Sequence, residues 1–121
     1  MKTTAAAALT LLATSVSAAT YEQFPAGGLS CPTGAEGSTE TTLAELKAAA
    51  DSVVGTTPRE TSASNLASGK CTSLSLPLYD ASIGQATISV VYDEGKDTFY
   101  FCSGQGSDQN GDGYPDGCTE L

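Results

Sequence analysis

The chain has 121 residues, with 14 acidic against 5 basic side chains, a formal charge of −9, and no histidine. Without an imidazole there is no Ser–His–Asp triad, no Cys–His pair, no His-ligated metal and no paired-histidine acid–base catalysis, which leaves carboxylate chemistry or binding without chemistry. The acidity argues against tight nucleic-acid binding and against anionic membrane surfaces, although a short single-stranded RNA in a local pocket stays open. Solubility is the plainest reading of that charge.

Residues 1–18 read as a secretory signal peptide, with Lys2 as the basic start, an Ala/Leu-rich core to about Val16 and small residues at Ser17 and Ala18. The apolar run is shorter than the ~20 residues a bilayer span needs. Cleavage after Ala18 or Ala19 satisfies the pattern equally. The remainder, residues 19–121, suffices for one domain that acts outside the cell. All 14 acidic residues fall in it, against Lys47, Arg59, Lys70 and Lys96.

Residues 19–40, rich in Gly, Pro and Ser, suit a loop or a short edge hairpin held by Cys31. A helix is then predicted over about 43–54. Thr42 and Glu45 form a Thr-x-x-Glu capping box, Leu43, Leu46, Ala50 and Val53 recur at helical spacing, and Gly55 suits the left-handed position past the end. Residues 56–70 are polar and predict a long surface loop. From Cys71 the period becomes two, Leu74, Leu76 and Leu78 alternating with Ser73, Ser75 and Pro77, so a strand is predicted there, near an edge because Pro77 cannot donate. Ile88, Val90 and Tyr92 mark the next strand. Asp93–Asp97 is a turn, and Thr98–Cys102 completes a hairpin. One helix packed on an antiparallel sheet makes an α+β domain.

Cys31, Cys71, Cys102 and Cys118 all follow the signal. An even count in an oxidising compartment predicts two disulfides, with three pairings open; no CxxC spacing supports a thiolate metal site.

The segment DQNGDGYPDGC places Asp108, Asn110, Asp112 and Asp116 at positions 1, 3, 5 and 9 of a calcium-loop pattern, with Gly113 at the sharp turn and the Tyr114 carbonyl at position 7. Thr119 occupies the place of the bidentate glutamate, with Glu120 one residue late, so the segment is not an EF-hand. A looser calcium site competes with a hydrophilic turn whose Asp, Asn and Gly satisfy their own backbone. Acidic pairs such as Asp93/Glu94 or Asp112/Asp116 could imitate a glycosidase dyad, but they lie in solvated turns of a small domain. Tyr92, Phe99, Tyr100 and Phe101 could stack on bases or sugars; strand alternation assigns at least half of them to the core.

The order of helix, long polar loop, LPLYD after Cys71 and ISVVYDEGKDTFYFC resembles the small secreted microbial ribonucleases of the guanyl- and purine-specific type, mostly fungal. That resemblance covers most of residues 31–118. It implies a helix across an antiparallel sheet and the pairing Cys31–Cys118 and Cys71–Cys102. It does not carry the chemistry. The family's glutamate falls on Ser75 and its arginine on Ser89. The first histidine has no counterpart in residues 56–70, and the second falls near Ser103 or Gly104. Serine is no unassisted base and carries no cation for a phosphorane-like transition state. The expectation is a catalytically dead, ribonuclease-like protein of the fungal effector type, acting on a protein partner of a host. A calcium-binding extracellular module and a residual ribonuclease or carboxylate-based hydrolase are the alternatives.

Overall fold

The computed structural model describes residues 19–34, 37–108, 111 and 113–121. The signal assignment (residues 1–18) and the loop residues Asn110 and Asp112 lie outside them.

Thr42 starts the helix as predicted. Its Oγ1 accepts the Glu45 amide at 3.1 Å, and Glu45 Oε1 accepts the Thr42 amide at 2.8 Å. A reciprocal cap of this kind contributes on the order of 1 kcal/mol. Helix α1 spans Leu43–Asp51, and turns carry the chain on to Gly55 at φ +85°. The regular helix therefore stops three residues short of the expected Val54, and Ser52 hydroxyl donation to the Ala49 carbonyl at 2.6 Å closes its end.

Among the described residues, seven strands form two sheets. Strands β1 (Thr20–Glu22), β6 (Thr98–Gln105), β5 (Ala86–Asp93) and β4 (Leu78–Ile83) make the larger, in that order; β3 (Ser38–Thr41), β2 (Leu29–Pro32) and β7 (Thr119–Glu120) make the smaller. The domain is α+β, but not a single antiparallel sheet: β1 runs parallel to β6, Tyr21 opposite Phe99. The 19–40 region supplies that parallel strand as well as the β2–β3 hairpin around Cys31.

The predicted strand through Leu74, Leu76 and Leu78 is corrected. Residues 71–77 are turns and irregular chain, and β4 begins only at Leu78. Pro77 has no amide to give a ladder, and the leucines alternate because they pack, not because they pair. Leu74 and Leu76 pack on a small cluster of Ala63, Cys71, Leu78, Val91 and Cys102. The 56–70 segment is likewise more than a surface loop. Glu60 bridges Leu78, a single 3-10 turn forms at Ala63–Asn65, and the Ala63 amide donates to the Leu76 carbonyl at 2.8 Å. This segment closes over one face of the large sheet, and α1 with β2 closes over the other.

The main core gathers Leu29, Leu46, Ala50, Val53, Ile88, Val90, Phe99 and Phe101. The predicted 93–97 hairpin is present, its turn a 3-10 segment ending on Asp97 at φ +48°, and β6 runs three residues past Cys102. Its register against β5 slips at Ser89/Val90, leaving Cys102 as the extra residue of a bulge. A second hairpin joins β4 to β5 through Gly84 and Gln85, with Gly84 at φ +59° in the first loop position. All four cysteines are bonded, as Cys31–Cys118 and Cys71–Cys102. This is the arrangement the resemblance implied, and it fits an oxidising compartment. Among the described residues no helix is long and apolar enough to cross a membrane.

Of the four strand aromatics, Phe99 and Phe101 are core and Tyr92 and Tyr100 are half-buried. Phe99 lies between two tyrosines, Tyr92 stacked at 4.4 Å and Tyr21 at 5.4 Å between ring centroids. The Tyr21 hydroxyl donates to Asp51 Oδ1 at 2.6 Å, tying β1 to the end of α1. Burial first, then the Asp51 hydrogen bond and negative charge, push the Tyr21 phenol from 10 up to about 12. A phenol raised in the folded state favours folding while protonated. Its contribution is complete below pH 10 and disappears as pH rises through about 12. The stability gap between the wild type and Tyr21→Phe, read from urea midpoints, is therefore expected to shrink across that window. A gap that stays constant contradicts the assignment.

Candidate functional site

The positions that the resemblance equates with catalytic residues are spread over three environments. Ser75 is exposed in the irregular 71–77 segment. Ser89 and Ser103 are register partners on β5 and β6, the first buried and the second exposed. Gly104 is packed so closely that a Cβ there would lie 2.8 Å from Leu29 Cδ1 and 3.2 Å from Cys118 Sγ, so no larger side chain fits without displacement.

Ser89 belongs to a three-residue cluster. It sits opposite Asp80 across the β4–β5 ladder, and its hydroxyl donates to Asp80 Oδ1 at 2.8 Å. Arg59, brought in by the 56–70 segment, donates to Ser89 Oγ at 3.3 Å and pairs through Nε with Asp80 Oδ2 at 2.9 Å. Serine, carboxylate and guanidinium thus satisfy one another. The Ser89 hydroxyl proton points to a carboxylate whose other oxygen holds the guanidinium, and the guanidinium is engaged on both sides. The arrangement fastens the 56–70 segment to the sheet; the half-exposed ion pair itself contributes at most about 1 kcal/mol. Sequence reading missed Arg59 and Asp80. Their proximity depends on strand register and on the path of a polar segment, and neither leaves a periodic signal.

In the 108–116 loop, Asp108 Oδ1 accepts the Gly111 amide at 2.8 Å and Oδ2 accepts the Gly113 amide at 2.7 Å. Both oxygens of the first calcium-loop residue thus receive backbone donors, as in an Asx-type turn. Tyr114 is exposed, and the Asp116 amide donates to the Ser107 carbonyl at 3.2 Å, closing the base of the loop. Among the described residues no cluster of three or more candidate metal ligands forms.

Among the described residues, two of the surface clefts stand out. One, of about 390 Å³, lies between the β2–β3 hairpin and the Gly84–Gln85 turn, and Thr39, Glu40, Thr41 and Glu45 are among its lining residues. The Thr41 hydroxyl is buried and has no hydrogen-bond partner among the described residues. The other, of about 450 Å³, lies between the end of α1 and the 93–97 turn and is lined by Val54, Leu76, Pro77, Tyr79 and Tyr92 on its apolar side. Asp93 and Glu94, read in the sequence as a solvated acidic pair, also line this cleft. The Tyr92 hydroxyl donates to Asp97 at 2.8 Å, and that bond, followed by burial, raises the phenol pKa above its ordinary 10.

Compared with known proteins, the chain matches no family model, no curated protein and no solved structure.

Proposed function

We propose that this is a secreted, non-catalytic protein of ribonuclease-like architecture, of the fungal effector type, that acts by binding a protein of a host. The observation that carries the reading is Ser89. At the position where the resemblance expects a cation for the transition state stands a buried hydroxyl locked between Asp80 and Arg59. Support also comes from the disulfide connectivity, from the packing of α1 on the large sheet, and from a sequence with no histidine to act as acid. Groups that act as a unit in catalysis lose orders of magnitude in rate when any is removed, and here the whole set is replaced.

The test is an RNA-cleavage assay on the purified protein, following release of cyclic phosphate from guanosine-containing dinucleotides across acid to neutral pH. Wild type and Ser75→Glu are both expected to stay at the blank rate, since a restored carboxylate still lacks an acid, and the guanidinium beside Ser89, that of Arg59, is held by Asp80. Cleavage by the wild type above the blank, abolished by reduction of the disulfides, overturns the reading in favour of a residual ribonuclease.

A further inference from the structure

We propose that the cleft between the end of α1 and the 93–97 turn docks a cationic, arginine- or lysine-bearing segment of a partner protein. The inference deepens the binding function above by naming the chemistry of the partner, and it rests on that reading. The cleft has the size of a site for a few side chains. Its floor is preorganised: the Tyr92 ring is stacked on Phe99 and its hydroxyl is tethered to Asp97. A ring fixed before binding loses little freedom on contact. Val54, just past the helix, is 54 % exposed, which is unusual for an aliphatic side chain in this domain.

Charge selects the occupant. Asp93 and Glu94 are the charged groups among the described lining residues. The protein's own cations are largely engaged elsewhere: Arg59 on Asp80, Lys70 on Glu120 at 2.6 Å, and Lys47 over the Tyr21 ring at 5.1 Å. Lys96 lies on the same turn but outside the lining, and Asp97 beside it leaves the turn acidic. A guanidinium or ammonium entering the cleft meets two carboxylates and two tyrosine rings, while its aliphatic stem covers Leu76 and Pro77. A phosphate backbone or an acidic peptide meets repulsion at the same place. A neutral sugar gains the rings but makes no use of the charge.

The test is an amide-resolved NMR titration of the purified protein with an end-blocked Arg-Leu-Arg-Leu peptide, its Glu-Leu-Glu-Leu counterpart and cellohexaose. The arginine peptide is expected to shift Val54, Thr56, Tyr79, Tyr92 and Glu94 and to leave the β2–β3 hairpin unmoved. Glu94→Lys, on an exposed residue, is expected to weaken that binding about tenfold or more while leaving the melting temperature unchanged. Shifts elsewhere, an equal response to the glutamate peptide, a response to cellohexaose alone, or silence with all three overturns the proposal. RNA cleavage overturns the non-catalytic reading without touching this result, and a silent arginine peptide overturns the cleft while that reading stands.

Discussion

Replacing Cys31 and Cys118 together by alanine is expected to cost about 4 to 5 kcal/mol and to lower the melting temperature by roughly 15–30 °C. The bond closes a loop with a sequence separation of 87, against 31 for Cys71–Cys102, and in the chain-entropy account the longer loop constrains the unfolded ensemble more. The folded state suffers too. Cys31 is buried in β2 among core residues, and Cys118 precedes β7, which is only two residues long. Without the bond, β7 keeps its pairing with β2 and the Leu121 amide donating to the Gly28 carbonyl at 2.9 Å. A domain this size holds roughly 5–15 kcal/mol in all, so the double variant sits near the unfolding threshold. Urea unfolding of both variants measures the order: loss of Cys71–Cys102 is expected to cost less, about 3.5 kcal/mol. A double variant melting within a few degrees of wild type contradicts the argument. So does a non-reduced digest linking Cys31 to Cys71 or Cys102.

Phe99→Ala is the second large effect, expected at about 3–5 kcal/mol. The ring is 1 % exposed and leaves a cavity in the middle of the main core. It also removes the common partner of Tyr21 and Tyr92, and each ring contact adds about 0.5–1.5 kcal/mol beyond burial. The consequence extends to the two surfaces that those tyrosines serve, the Asp51 tether of α1 and the floor of the acidic cleft. Near-UV circular dichroism of the folded variant is therefore expected to lose tyrosine signal together with stability, whereas Phe99→Leu keeps most of the volume and costs less. If Phe99→Ala costs no more than Phe24→Ala, at a half-buried position, the central role of the ring is refuted.

The helix was legible because everything that starts it is local. The Thr42–Glu45 box and the spacing of Leu46, Ala50 and Val53 act within a few residues and need no distant partner. The same holds for the Asp93–Asp97 turn between two apolar runs. The β4–β5 hairpin was missed although Gly84 marks its turn and Tyr79–Ile83 alternates strictly between apolar and polar residues, because the alternation of Leu74, Leu76 and Leu78, one residue out of phase with it, reads as the strand instead. Leu74 and Leu76 misled because a period of two reports that one side of the chain is buried, not that its amides pair.

Composition alone determined the absence of histidine chemistry, the acidic surface and an even set of cysteines able to bond completely. Only the tertiary structure decided that β1 runs parallel to β6 far along the chain, that a polar segment closes over the sheet, and that Arg59 and Asp80 converge on Ser89. Those outcomes depend on register and chain path, which are set by the summed packing of the whole domain. The acidic cleft is of the same kind. Val54, Pro77 with Tyr79, and Glu94 belong to three separate stretches of chain, and no local pattern says that they share a wall.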